Sequence, residues 1–305
     1  MKLKQTQIRV KSPGKILDFL AFHFNGKSRT ALKQLLTRGQ VCLNGRVVTH
    51  VSTELNEGDF VTLNTGKVNY ELKHPKVKIV FEDNDIIVIE KGEGLLTVAT
   101  DSGKMETTAF SILLNYLKKK DLRNRLFVVH RIDRETSGLI MFAKSKEMQM
   151  VMQEDWHNRV TDRIYLAIIE GVLEKKEDTI ISYLRESKSL KVHSSQKEID
   201  GGKRAVTHYR VVRECEKFSM LKVTLETGRK NQIRAHCAQM GHPIIGDKKY
   251  GSYSSPIARV GLHAKVLGFR HPRTQEPLYF ETSVPKKFNA LFIKEKKKEI
   301  EKNKI

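Results

Sequence analysis

Between residues 13 and 65 the apolar positions are spaced first for helices and then for a hairpin. In "PGKILDFLAFHF", Ile16, Leu17, Leu20, Phe22 and Phe24 follow a helix-like stretch, and "SRTALKQLLTRG" repeats the pattern with Ser28 as N-cap and Gly39 as stop. "QVCLNGRVVTH" then alternates on both sides of Asn44-Gly45, the strongest short-range hairpin signal, and "ELNEGDFVTL" adds a turn and a strand. Residues 64 to 78 are polar and aperiodic and read as a linker.

From residue 78 to about 290 the pattern is that of a strand-rich α+β body. "KIVFEDNDIIVIEK" reads as two strands around a turn at Asp83 to Asp85, and "TTAFSILLNYLKKK" as an amphipathic helix with lysines in its last turn. "RLFVVH" and "GLIMFAKS" are apolar strands, and "KEMQMVMQEDWHN" is a helix whose methionines belong to the core. "VTDRIYLAIIEGVL" and "AVTHYRVVRECEKFSMLKVTLETG" alternate as long strands. No internal repeat is visible. The expected divisions are a module over residues 1–70, a body over 71–290 and a charge-dense tail over 291–305, either a frayed helix or a disordered basic arm.

Composition narrows the partner. At 305 residues and 39% hydrophobic, the chain can bury one large core, or a large core plus a small one. Lysine and arginine number 56 against 35 acids, a net charge of +21 with a pI near 9.8, which points to a polyanion and first to nucleic acid. An anionic membrane surface would call for an amphipathic basic helix or a lipidation signal. Neither an apolar run of about 18 residues nor a signal-peptide core after "MKLKQTQIRVKS" is found, so a cytoplasmic protein without membrane contact is expected. Cys42, Cys215 and Cys237 are distant from one another, odd in number and lack a C-x-x-C pair, and read as free thiols. "GKS" at 26 to 28 lacks the earlier glycine of a phosphate loop, because Ala21 stands there.

Candidate chemistry lies in three places. "VVHRIDRETSGLIMFAKS", residues 128 to 145, presents Asp133 between Arg131 and Arg134 with apolar runs on both sides. A lone aspartate after a strand is usually a turn former or cap. Arg131, two residues back, is expected on the same face, and Thr136 and Ser137 are expected to tie the turn by bonding to the backbone. In "TLETGRKNQIRAHCAQMGHPIIGDKKYGS", residues 224 to 252, a strand ends at Thr227-Gly228, a helix carries Gln232, Ile233, Arg234 and His236, and Gly241 stops it. His236, Cys237 and His242 match no metal-ligand spacing, so no metal is expected. In "DRIYLAIIEG", Arg163 and Tyr165 share one face of a strand, where a tyrosine is normally a packing residue.

The N-terminal segment, through "SRTALKQLLTRGQVCLNGRVV" and the following "EGD", resembles the RNA-binding module first known from the small-subunit ribosomal protein S-four. The resemblance implies a basic RNA-facing surface of Lys27, Arg29, Lys33, Arg38 and Arg46. Residues 78 to 285 resemble the RluA-type pseudouridine synthases: "HRIDRETSG" matches H-R-x-D-x-x-T-S-G, Arg163 and Tyr165 meet the K/R-x-Y strand, and "GRKNQIR" with "GHPIIGDKKYG" meets the third motif. "LHAKVLGFRHP" also fits. Two departures stand out, Lys230-Asn231 where the family commonly has Thr-His, and Gly92 where it has proline. The first changes the hydrogen bonds behind the site and adds charge, the second loosens a loop, and both bear on substrate choice.

This resemblance implies a mixed, largely antiparallel sheet flanked by helices, and isomerisation of selected uridines in structured RNA, foremost ribosomal RNA, with no cofactor. Asp133 would act as the catalytic carboxylate, Arg234 as its cationic partner, and Tyr165 would stack on the base and handle a ring proton. Arg131 would fill the stack vacated by an extruded uridine, and Arg163, Arg229 and Gln232 would contact the RNA substrate. A free carboxyl titrates near pH 4 and burial raises it, so a paired cation is needed to keep the charged form. Whether Asp133 attacks the base or the sugar is open on sequence, as is the target uridine. A monomer is expected. A non-catalytic RNA binder of the same fold is the competing reading, disfavoured because an acid facing phosphates gains a binder little; a hydrolytic nuclease would need clustered carboxylates for metal.

Overall fold

A computed structural model describes residues 5–64, 71–99, 106–187 and 189–302. The chain divides into two compact units, one of residues 1–73 with 110–126, the other of residues 74–109 with 127–305.

In the first unit the predicted helices and hairpin form around their punctuation. The elements are β1 (Gln5–Arg9), β2 (Gly14–Lys15), α1 (Ile16–His23), α2 (Arg29–Thr37), β3 (Val41–Leu43), β4 (Arg46–Val47), β5 (Glu54–Leu55) and β6 (Phe60–Asn64). Ser28 Oγ caps α2 by accepting from the Ala31 amide at 3.2 Å, and Gly39 takes φ 62° just past its end. Asn44 and Gly45, at φ 49° and 79°, supply the two left-handed positions that a two-residue hairpin demands. The sheet order is β1-β6-β3-β4 and the core includes Ile16, Leu20, Leu32, Leu36, Val41 and Leu63, all fully buried. Phe22 departs from the expected apolar face: it lies about 200° around α1 from Leu20 and is 79% exposed. β1, unremarkable in sequence, forms because β6 offers it an edge. Helix α3 (Ala109–Lys120) groups with this unit, apart from its first residue. Residues 65–70 of the expected linker, beside the expected 70/71 division, lie outside the described residues.

The second unit is built on an 11-stranded mixed sheet. Its elements are β7 (Val77–Glu82), β8 (Ile86–Lys91), β9 (Phe127–Val128), β10 (Ser137–Ala143), α4 (Lys146–Glu154), α5 (Trp156–Arg159), β11 (Asp162–Glu170), β12 (Glu177–Glu186), β13 (Val192–Ser195), β14 (Lys203–Glu214), β15 (Phe218–Leu225), α6 (Gln232–Gln239), β16 (Leu262–Arg270), β17 (Pro277–Glu281) and α7 (Lys286–Lys302). The main path runs β13-β12-β14-β15-β11-β16-β10-β8-β7; β17 joins β16 and β9 joins β10. All pairings are antiparallel except β10 with β16. β10 is buried at every residue, which explains its unbroken apolar run. Met148 and Met152 of α4 are core residues. Of the two forms expected for the chain's end the structure has a helix: α7 crosses residue 290, is anchored by buried Phe288, Leu291 and Phe292, and stops before residues 303–305, which are outside the described ones. β12 and β13 were not visible in the pattern, because their alternation is weak, with exposed Glu177, Asp178, Thr179 and Ile181 on a sheet edge. No helix of the described residues is long and apolar enough to cross a membrane.

Candidate active site

Where β10 begins, it lies parallel beside β16, pairing Ser137 with His263 and Gly138 with Ala264. Gly138 has φ 113°, and a Cβ there would stand 2.1 Å from the Ala264 carbonyl oxygen, so only glycine lets the two backbones approach. This pins the segment 129–136, which enters from β9 and is irregular rather than a strand continuation. Arg131 and Asp133 therefore share a face through the loop's course, not through strand alternation. Backbone bonding closes the turn, Thr136 N–H donating to Asp133 O at 3.1 Å. The Ser137 hydroxyl does not tie that turn; it bonds His263 Nδ1 at 2.7 Å and accepts from Arg259 Nη2 at 2.8 Å.

The loop is also held from the end of β8 and the segment after it. Thr97 Oγ1 donates to Ile132 O at 2.8 Å, and the Gly94 amide to Arg134 O at 2.8 Å. Lys91, fully buried, spreads its ammonium over three carbonyls: Leu95 at 2.8 Å, Gly92 at 3.0 Å and Arg134 at 3.3 Å. Burial pushes the lysine down to about 8, against the pull of the Asp133 and Glu135 charges. Lys91, a second buried cation near Asp133, was not anticipated from sequence.

Asp133 lines a cavity of about 200 Å³ together with Arg131, Tyr165, Arg229, Lys230, Gln232 and Arg234. Among the described residues its carboxylate makes one ion pair, with Arg234 Nη1 at 3.5 Å. Arg234 is held much more firmly elsewhere. Its Nε and Nη2 donate to the two oxygens of Asp247 at 2.6 and 2.8 Å, and Nη1 donates to Asn231 Oδ1 at 3.0 Å. The Tyr250 ring lies 4.9 Å from its Cζ. Burial opposes the guanidinium charge, but the Asp247 bonds and charge, with Asp133 adding to them, raise its pKa. Expected as the partner of Asp133, Arg234 has Asp247 as its principal partner. Asp247 stands in "GHPIIGDKKYG", yet nothing local to that motif reveals which distant side chain it meets.

Asn231 explains one departure in this region. It occupies the position before α6 at φ 53°, a left-handed conformation that asparagine tolerates, and so brings Oδ1 onto Arg234. Lys230, on the cavity wall, pairs with Glu186. At the other departure, the Cβ of any residue replacing Gly92 would come within 3.1 Å of Lys76 Cβ.

Tyr165 on β11 forms another wall of the cavity. Burial raises its phenol to about 12, Arg163 opposing and Asp133 adding, so it is protonated at neutral pH. Arg163 donates to the Leu225 and Glu226 carbonyls at 3.1 and 2.6 Å, bracing β11 against the end of β15. Gln232 is likewise committed: its oxygen accepts from Thr227 and the Arg229 amide, its nitrogen donates to Val206 O and Thr207. Arg229 lies at the mouth with Nε on Arg204 O. Arg131 is exposed. His236 bonds Ser182 and Thr207, and His242 faces Glu170 O. Cys215 and Cys237 are buried free thiols, and Cys42 is partly exposed.

The basic residues of the first unit fall into two groups. Arg29 pairs with Asp18 at 2.7 Å and Arg38 with Asp121 at 3.3 Å. Lys27, Lys33 and Arg46 are exposed and, among the described residues, have no salt bridge.

Residues 85–239 match the family model described as RNA pseudouridylate synthase, and residues 9–61 match the S4 domain. An uncharacterized RNA pseudouridine synthase of Aquifex aeolicus is 32% identical over 96% of this chain and 98% of its own length. A ribosomal large subunit pseudouridine synthase D of Vibrio cholerae is 32% identical over 86% of this chain and 85% of its own. In fold the chain is similar to human RNA pseudouridylate synthase domain containing 4, with TM-score 0.56 and 22% identity over 69% of this chain and 90% of that one.

Proposed function

Since the chain belongs to the RNA pseudouridylate synthase family, an isomerase family here joined to an S4 RNA-binding domain, we propose that it converts uridines of ribosomal RNA to pseudouridine with Asp133 as the reacting carboxylate. Ribosomal RNA is favoured by the Vibrio cholerae relative, a synthase of the large ribosomal subunit by name. We take it as a cytoplasmic monomer with a module to about residue 70 and a catalytic body beyond, residues 110–126 grouping with the module.

The observation that carries the site is the contrast between two carboxylates. Each oxygen of Asp247 accepts from Arg234, while the Asp133 carboxylate has, among the described residues, only the 3.5 Å contact to the same guanidinium and lines the cavity. A carboxylate that must attack cannot be buried in a tight ion pair, yet it needs a cation near enough to stay ionised. Arg234, fixed by Asp247 and Asn231, supplies that field without capturing Asp133. Asp133 bonds to the uridine at the base or the sugar and the N1–C1′ bond breaks; the base turns, C5 bonds to C1′, the bond to Asp133 breaks and frees the carboxylate, and C5 loses its proton while N1 takes one up. Tyr165 offers the base a ring face, and its protonated hydroxyl can donate to a ring oxygen or relay the C5 proton. Arg163 and Gln232 position the walls, and Arg131 and Arg229 meet the RNA.

Asp133→Asn tests this. It should abolish tritium release from RNA labelled at uridine C5 while RNA affinity stays within a few-fold; an active variant would refute the role. Mapping pseudouridines in cellular RNA with and without the protein identifies the target, and a site outside ribosomal RNA would refute that choice.

A further inference from the structure

Beside the catalytic cavity lies a larger one of about 380 Å³, sharing with it Arg131, Tyr165, Leu225, Gly228 and Arg229. Its other walls come from the start of the Asp133 loop, from α4 and α5, and from the end of β15. Trp156, the only tryptophan of the chain, lies on this wall, half-buried, packed on the core cluster of β10 and β16 and tilted against the His130 ring at 5.1 Å. His130 is itself part of the frame. Its Nε2 accepts the Met141 amide at 3.1 Å, and burial, with Arg163 nearby, pushes it down to about 3, so that wall is neutral.

The chemistry of this cavity is an indole with guanidinium groups at its mouth. Arg163 is 5.7 Å from the Trp156 ring and committed to backbone carbonyls, whereas Arg131 and Arg229 stand at the passage shared with the catalytic cavity. An aromatic face accepts any base by stacking, and guanidinium groups at a mouth suit a phosphodiester. A uridine extruded into the first cavity necessarily carries its neighbours, each one phosphodiester away. They arrive at a local concentration that no free ligand matches.

We propose that the Trp156 cavity holds one nucleotide adjacent in sequence to the isomerised uridine, its base stacked on Trp156 and the linking phosphate between Arg131 and Arg229. This rests on the reading of the first cavity as the uridine site. It makes Trp156 a specificity residue: a large base at that neighbouring position favours the reaction, and purines exceed pyrimidines through their larger stacking surface.

The probe is an RNA hairpin carrying the uridine mapped above, made intact and with an abasic ribose at the 5′ neighbour, the 3′ neighbour, or both. Two readouts are taken on the full chain: pseudouridine formed in a single turnover, and tryptophan fluorescence, which reports Trp156 alone. The intact hairpin should quench the fluorescence, and one of the two single abasic hairpins should lose both the quench and about tenfold in kcat/KM. Trp156→Leu should cost about tenfold on the intact hairpin and nothing further on that abasic one, and Trp156→Phe should restore most of the loss. Equal losses on intact and abasic RNA would mark a merely structural tryptophan and overturn the proposal, as would quenching that survives when both neighbours are abasic. A neighbour-dependent quench without any pseudouridine would instead uphold the cavity and refute the assigned reaction.

Discussion

Arg234 is bonded twice by Asp247, at 2.6 and 2.8 Å, and stands 3.5 Å from Asp133. The tighter pair controls the looser one: Asp247 fixes the guanidinium where its charge reaches Asp133 without sealing it. Asp247→Asn leaves one acceptor and removes the countercharge in a nearly solvent-free place. Freed, Arg234 can close on Asp133. Breaking such a buried pair from one side should destabilise by about 3 kcal/mol or more and lower kcat at least tenfold. Thermal melting and single-turnover assays together check it; Asp133→Asn, which gives up only the long contact, should leave melting nearly unchanged.

Much of this arrangement was legible in sequence, and the part that was not has a physical reason. Local devices could be read, because cap, turn and alternation are set by neighbouring residues: Ser28, Asn44-Gly45 and the β8 and β10 runs all stand where their patterns place them. Partners across the sheet could not. Asp247 reaches Arg234 over 13 residues of turn and helix, Lys91 reaches Arg134 over 43, and neither spacing is a motif of its own. Ser137 misled for the same reason: its hydroxyl serves His263, 126 residues away, rather than its own turn.

Two buried histidines, His236 and His263, and the half-buried His130 should make the fold sensitive to acid. Burial holds His236 and His263 near 4 and His130 near 3, against 6.5 when exposed. Their folded pKa values are depressed, so between about pH 6.5 and 4 the unfolded chain binds protons that the folded one refuses, and stability falls as pH drops through that window. With three such groups the slope near pH 5 approaches about 4 kcal/mol per pH unit. Chemical denaturation midpoints measured from pH 7 to 5 should fall steeply, and His236→Gln should flatten the fall; an unchanged midpoint would contradict the neutrality of these rings in the fold.

The unpaired cations of the first unit should bind phosphate. Lys27, Lys33 and Arg46 are exposed and hold no carboxylate among the described residues, unlike Arg29 and Arg38. Replacing the three with glutamine should reduce the slope of log affinity against log salt by about 3 and leave kcat at saturating RNA unchanged. Filter binding of the target RNA at several salt concentrations checks it. Substitution is a cleaner test than deleting residues 1–70, because residues 110–126 pack in the same unit and Asp121 would lose Arg38.

Lys91 should give the enzyme an alkaline limit that its stability does not share. Three carbonyls surround its ammonium, which has a proton for each, whereas the neutral amine has only two to donate. Deprotonation near pH 8 therefore releases one link between the Asp133 loop and the end of β8, and removes a cation that faces Asp133, Glu135 and Glu93 while Arg259 opposes it. Activity should decline above about pH 8. Stability runs the other way for this group: the folded value lies below the ordinary 10.5, so burying the charged lysine disfavours the fold below about pH 8, and that penalty fades as pH rises towards 10.5. Lys91→Met should be less active at pH 7 and show no further loss between pH 7 and 9. Rates and melting temperatures measured over that range in both proteins decide the matter: an alkaline decline that persists in Lys91→Met, or that coincides with unfolding, would remove Lys91 as its cause.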